Sequence, residues 1–173
     1  CALLGGLVAG AGRIIAIDVA DDKLGLARQL GATDTFNASD PECVAKVIEA
    51  TKGGVEYAFE VAGVVEAMQT SYAITRRGGM TVTSGISQHQ HLFEIPHAQL
   101  VVEERAIKGS YMGSSIVRQD VPKFINLYKQ GKLPVDKLRS GNIGLEDLNQ
   151  GFDKLAAGDA VRQMLVMHPE FNT

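Results

Sequence analysis

The chain has 173 residues, 45% of them hydrophobic and 21% charged, with a formal net charge of −3. That length suits one domain with its own core, and the composition is that of an ordinary globular protein. Lys and Arg are scattered along an acidic chain, which excludes a nucleic-acid footprint and a polybasic membrane patch, and no apolar run approaches the roughly 20 residues that span a bilayer.

The first segment, CALLGGLVAGA, reads as the body of a buried helix rich in small residues, with nothing ahead of it to cap it. The expectation is that Cys1 continues a longer protein. Arg13 to Val19 (RIIAIDV) is a continuous apolar run of strand length, suited to a central parallel strand covered on both faces. Asp21 or Asp22 can cap the next helix, DKLGLARQL, which sets Leu24, Ala27 and Leu30 on one face, and Gly31 supplies a left-handed C-terminal cap. Asp34 to Asn37 is a short strand. Asp40-Pro41-Glu42 marks a helix start, and that helix stops at Gly53-Gly54.

Val55 to Ala62 (VEYAFEVA) reads as a strand, Val64 to Arg76 as a helix ended by Gly78-Gly79, and Met80 to Ser84 as a strand. A polar loop, SQHQHLFEIPH, leads to a short helical piece and the strand-like RAIKGSYMG. The tail gives a helix from about Val121 to Gln130, a short VDKL segment, a helix from about Leu145 to Ala157 closed by Gly158, and a final strand, RQMLVM. Strands alternating with helices predict an α/β fold with a doubly wound, mainly parallel sheet of the Rossmann type and right-handed crossovers.

In such sheets ligands bind outside the carboxyl ends of the strands. Three strand ends here carry candidates: Asp18, the segment Val61-Ala62-Gly63, and Ser84-Gly85-Ile86. A carboxylate at the end of the second strand suits two hydrogen bonds to the hydroxyls of an adenosine ribose and repels a 2′-phosphate, favouring NAD over NADP. Asp18 can also be read as a helix N-cap or a solvated loop acid. Its spacing to Lys23, and the small residues at the other strand ends, favour the ribose. An exposed lysine in a first helical turn is ordinarily only solvated, so Lys23 keeps both readings.

The dinucleotide fingerprint G-x-G-x-x-G belongs about 20 residues before such an acid, which falls just ahead of Cys1. Gly5-Gly6 and Gly10-x-Gly12 do not replace it, because they lie within or at the end of the helix. The loop histidines His89, His91 and His97 have no cysteine near them and read as solvated rather than zinc-ligating. Cys43 sits on a helix face and reads as packing. Two cysteines are too few for a disulfide framework and suit a reducing, cytoplasmic compartment.

The runs GAGRIIAIDVADDKLGLARQLGATDTFNA, GGVEYAFEVAG, RRGGMTVTSGI, IKGSYMGS and LNQGFDKLAAGDAVRQMLVM, in that order, resemble the cofactor-binding domain and C-terminal tail of zinc-dependent medium-chain alcohol dehydrogenases. The resemblance implies that Asp18 and Lys23 hold the adenosine ribose, and that Val61 and Ala62 flank the adenine and ribose. Ser84, Gly85 and Ile86 would meet the nicotinamide carboxamide, with Met112 adding a main-chain contact. Arg162 would reach the pyrophosphate, for which a guanidinium fork is apt.

Where the family often has Arg, this chain has Val64, so one cofactor contact is absent. The family's zinc ligands and catalytic domain would lie upstream, so the expected unit, residues 1–173, is a cofactor domain plus tail without its catalytic half. The sheet order 3-2-1-4-5-6 would then lack its central first strand as well as the Gly-rich loop. The resemblance further implies an alcohol or aldehyde substrate and a homo-oligomer formed through the edge strand near Ala106 to Met112. Two rival readings stay open: a zinc-free NADPH-dependent quinone or enone reductase of the same superfamily, and a non-catalytic nucleotide-binding module. A methyltransferase, which also holds a ribose with an acid at the second strand, is disfavoured by Arg162 and its context.

Overall fold

The computed structural model of the chain describes residues 1–168. Helix α1 (Ala2–Val8) precedes strand β1 (Ile15–Asp18), and helix α2 (Asp21–Gln29) connects it to strand β2 (Asp34–Asn37). β1 and β2 run parallel, from the pair Ile15–Asp34 to the pair Asp18–Asn37. Helix α3 (Cys43–Thr51) leads to strand β3 (Val55–Glu60), helix α4 (Val65–Ile74) to strand β4 (Thr75–Thr83), and helix α5 (His97–Val102) to strand β5 (Ala106–Gly109). These strands form a second parallel sheet in the order β3-β4-β5. Helices α6 (Val117–Lys129) and α7 (Leu148–Ala157) follow, with a short parallel pair of strands, β6 (Gly141–Ile143) and β7 (Gln163–Leu165).

One core holds the first two sheets together. Cys43 and Val47 of α3 pack with Ala58 of β3 and Ile74 of α4, and Ile15, Ile17 and Phe36 close on the same cluster. Val47 is fully buried, a transfer that contributes about 1.5–2 kcal/mol. Burial also pushes the Cys43 thiol above its ordinary pKa, as suits a packing residue. Although they share this core, β1 and β3 do not hydrogen-bond to each other. β1 pairs with β2 alone and β3 with β4 alone, so each presents one unpaired edge. The strand order is that of the expected doubly wound sheet, divided where its first strand would stand.

Several boundaries depart from the sequence reading for local reasons. Ala20, not Asp21 or Asp22, is the N-cap of α2, and both aspartates lie in its first turn. α3 starts at Cys43 because Asp40 Oδ1 accepts the Glu42 amide at 2.9 Å and its carbonyl accepts the Cys43 amide at 2.9 Å, a turn that consumes Asp-Pro-Glu. α4 ends at Ile74. The Thr75 hydroxyl donates to the Ser71 carbonyl at 2.7 Å and meets the Thr81 hydroxyl at 2.8 Å, and this buried pair turns the chain straight into β4. Gly78-Gly79 therefore falls inside β4, where the register with β3 shifts.

Helix α6 begins four residues before the expected Val121, and Leu145–Asp147 forms a 3-10 turn ahead of α7. α1 buries only Leu4. β1, expected to be covered on both faces, is half-buried along its length, and on β3 Ala58 is buried while Tyr57 and Phe59 are exposed, so that strand is covered on one face.

At the amino ends of β1 and β2, Arg13 binds the Asp34 carboxylate with two nitrogens, at 2.8 and 2.6 Å, and donates to the Ala50 carbonyl at the end of α3 at 2.6 Å. The Arg13 hydrogen bonds, aided by one from Thr33, lower the Asp34 pKa from 3.8 to about 2. A depressed folded-state pKa gives stability that is fully present above the unfolded value and lost as pH falls through about 2. Urea unfolding between pH 5 and pH 2 is therefore expected to show a steeper loss of stability than in Asp34→Asn. Parallel pH profiles would contradict the assignment.

Candidate functional site

The expected site residues fall into two groups at strand ends. Asp18 closes β1, and its Oδ1 accepts the Ala20 amide at 3.0 Å. It therefore closes a turn ahead of α2 and is not the helix N-cap of the alternative reading, a place that Ala20 takes. From the end of β2, Asn37 donates to Asp21 Oδ1 at 2.8 Å and to the Val19 carbonyl at 3.3 Å, fixing this turn from the neighbouring strand. Lys23 lies in the first turn of α2, and a Cβ added at Gly158 would stand 3.3 Å from its Nζ. The segment after α7 thus lies against the ammonium group.

Four residues further on, Arg162 approaches the other end of α1. Its guanidinium stands close enough to the Cys1 backbone nitrogen to act on it electrostatically. Ser140 pins this segment: its hydroxyl accepts the Val161 and Arg162 amides at 2.8 and 3.3 Å, and its own amide donates to the Arg162 carbonyl at 2.7 Å. The tail so brings one cation, Arg162, to the start of α1 and lays Gly158 against Lys23 of α2. A carboxylate can accept from a vicinal diol and a guanidinium can donate to a diphosphate, the two kinds of group that a dinucleotide offers.

The second group lies at the ends of β3, β4 and β5. Val61, Ala62, Ser84 and Ile86 are exposed, and Gly85 is half-buried. The Ser84 amide donates to the Glu60 carbonyl at 2.9 Å, and the Ser110 amide to the Thr83 carbonyl at 2.8 Å, so the ladder continues just past the strands. The two turns touch: a Cβ on Gly85 would overlap the Gly63 backbone nitrogen and stand 2.5 Å from the Gly63 Cα. Only a residue without a side chain allows this approach. Met112 is exposed in the turn after β5 with a left-handed backbone (φ 49°), and its carbonyl accepts the Ser115 hydroxyl at 2.9 Å.

A cavity of about 320 Å³ lies behind these turns, lined by Glu60, Thr83, Gly85, Met68, Phe93 and Ile107, among others. Among the described residues no hydrogen bond joins the Asp18 group to the group at Ser84 to Ile86. No three of the described His, Cys, Asp or Glu residues gather to hold a metal ion. The Asp18 carboxylate and Arg162 guanidinium are groups that suit a dinucleotide, while the described residues offer no zinc-ligand cluster.

Three structural contributors escaped the sequence reading: Glu60, Thr83 and Ser140. Glu60 occupies a polar slot in the alternating run VEYAFE, which disguises it as a solvent-facing residue. An acid followed by small residues as a strand ends, with a threonine ending the next strand, is the signal that could have found it.

The family model described as zinc-binding dehydrogenase matches residues 1–130. S-(hydroxymethyl)glutathione dehydrogenase of Paracoccus denitrificans is 32% identical over 167 residues, which cover 92% of this chain and 44% of that protein. Alcohol dehydrogenase-like 4 of Arabidopsis thaliana is 35% identical over 159 residues, covering 90% of this chain and 42% of that one. The crystal structure of benzyl alcohol dehydrogenase from Acinetobacter calcoaceticus matches with a TM-score of 0.92 at 30% identity, over 96% of this chain and 46% of that one. The chain spans less than half the length of these relatives.

Proposed function

The chain belongs to the zinc-binding dehydrogenase family, and on that premise we propose that it is the cofactor-binding domain and tail of a longer NAD-dependent alcohol dehydrogenase. The observation that carries the reading is Asp18 at the carboxyl end of β1, with the tail bringing Gly158 to Lys23 and Arg162 to the start of α1. Asp18 accepts the adenosine ribose hydroxyls, and Lys23 adds a donor to the same sugar. Arg162 binds the pyrophosphate. Val61 and Ala62 flank the adenine and ribose, while Ser84, Gly85, Ile86 and Met112 bound the nicotinamide end. When bound, NAD supplies the hydride acceptor.

The alcohol or aldehyde and the zinc belong, in this reading, to a catalytic domain outside this chain. The relatives' length, more than twice the stretch they share with the chain, supports that division. So do the exposed Tyr57 and Phe59 and the unpaired edges of β1 and β3, which give such a domain and a first strand surface to cover.

Titration of the full-length protein with NAD and NADP, followed by calorimetry, tests the cofactor assignment. The Asp18 carboxylate would repel a 2′-phosphate, so NAD is expected to bind at least about tenfold more tightly. Equal or tighter NADP binding would overturn the assignment and favour the NADPH-dependent reductase.

A further inference from the structure

We propose that Glu60 is a positioning residue for the nicotinamide end of the cofactor, a role that rests on the cofactor reading above. Its side chain is nearly fully buried, at 3% exposure, where β3 ends. A carboxylate withdrawn from water at such a place is costly unless every acceptor position it offers finds a donor. Here Oε1 accepts the Ala62 amide at 2.7 Å and the Gly63 amide at 2.6 Å, while Oε2 accepts the Thr83 hydroxyl at 2.7 Å.

Those three donors belong to one turn and the end of a neighbouring strand. Ala62 and Gly63 form the turn between β3 and α4, and Thr83 is the last residue of β4, directly before Ser84-Gly85-Ile86. One side chain therefore clamps the β3 turn to the end of β4. The clamp sets the contact between Gly63 and Gly85, since Glu60 Oε2 would itself lie 2.7 Å from a Cβ on Gly85.

Charge also matters at this place. The Ala62 and Gly63 amides precede α4, and amides in that position ordinarily attract an anionic ligand group. Glu60 satisfies them from within the fold, so these two amides are not free for the cofactor's phosphates. Glu60 thus fixes the surface against which the nicotinamide lies and keeps this turn from competing for phosphate.

The Asp18 group shares no hydrogen bond with this clamp, and its Thr83 arm leads directly into Ser84 to Ile86, so loss of the Thr83 hydroxyl is expected chiefly at the nicotinamide end. The test compares NAD with adenosine diphosphoribose, which lacks the nicotinamide, by calorimetry on the full-length protein. Thr83→Val removes the hydroxyl with little change of shape. Losing a charge-assisted hydrogen bond of this kind predicts about tenfold weaker NAD binding. Adenosine diphosphoribose should shift by less than about threefold, within the range of a single weak contact.

Thr83→Ser, which keeps the hydroxyl, should restore NAD affinity. Glu60→Gln, which retains an acceptor without the charge, should repeat the selective loss. Proportionate weakening of both ligands, or no weakening of either, would overturn the clamp and leave the cofactor reading standing. An unmutated protein that binds neither ligand would overturn both.

Discussion

Asp18→Ala in the full-length protein is expected to weaken NAD binding by roughly 10- to 100-fold, the loss expected when charge-assisted hydrogen bonds to a ribose diol disappear. The same substitution removes the acceptor for the Ala20 amide at the entry to α2, a local loss of about 1 kcal/mol. Asp18→Asn separates the two effects. An asparagine side chain still accepts the Ala20 amide but carries no charge, so the thermal midpoint should stay near that of the unmutated protein. NAD affinity should still fall, and the preference over NADP should narrow. NADH fluorescence titration with a parallel thermal melt reads both quantities. Unchanged NAD affinity in both variants would mean that Asp18 serves the turn alone.

Gly85→Ala is expected to be the most damaging single change at the other strand ends. Its Cβ would overlap the Gly63 backbone nitrogen and crowd both the Gly63 Cα and the buried Glu60 carboxylate. Backbone on the facing turn cannot rotate away as a side chain can, so β3 and β4 must part at their carboxyl ends. Overpacking of this kind costs about 2–3 kcal/mol, and the nicotinamide surface moves with it. Gly12→Ala is the matched control, because nothing lies within 4 Å of a Cβ there. A surface change of that sort stays within about 0.5 kcal/mol. Urea unfolding of the two variants checks the contrast, and equal midpoints would show that the turns separate without strain.

What could be read from the residues alone follows from how local each signal is. RIIAIDV announces a strand through its run of β-branched residues, and its last apolar position leads directly to the acid that matters. DTFN matched its strand residue for residue, and Gly31 takes its positive φ just after α2 as a helix-ending glycine should. Boundaries failed where a side chain reached back into the backbone. Asp40 closing on Glu42 delays α3, and Thr75 bonding to Ser71 and Thr81 ends α4 two residues early. Strand β6, at three residues, is too short for a period-two pattern to register, whereas RQMLVM announced β7.

The candidate site divides in the same way. Asp18, Gly85 and Arg162 stand at positions that sequence pattern can mark. The partners that orient them do not. Ser140 fixes Arg162 from 22 residues away and Thr83 meets Glu60 from 23 residues away. Such pairings exist only once the parallel strands are side by side.

The central claim is that NAD lies across the carboxyl ends of these strands with its adenosine ribose on Asp18 and its nicotinamide on Ser84 to Ile86. A crystal structure of the full-length protein grown with NAD tests it most directly. The account predicts both adenosine-ribose hydroxyls within hydrogen-bond distance of the Asp18 carboxylate, the Arg162 guanidinium on the pyrophosphate, and Glu60 still bound to Ala62, Gly63 and Thr83. A cofactor bound elsewhere, or one whose ribose leaves Asp18 facing water, would contradict it.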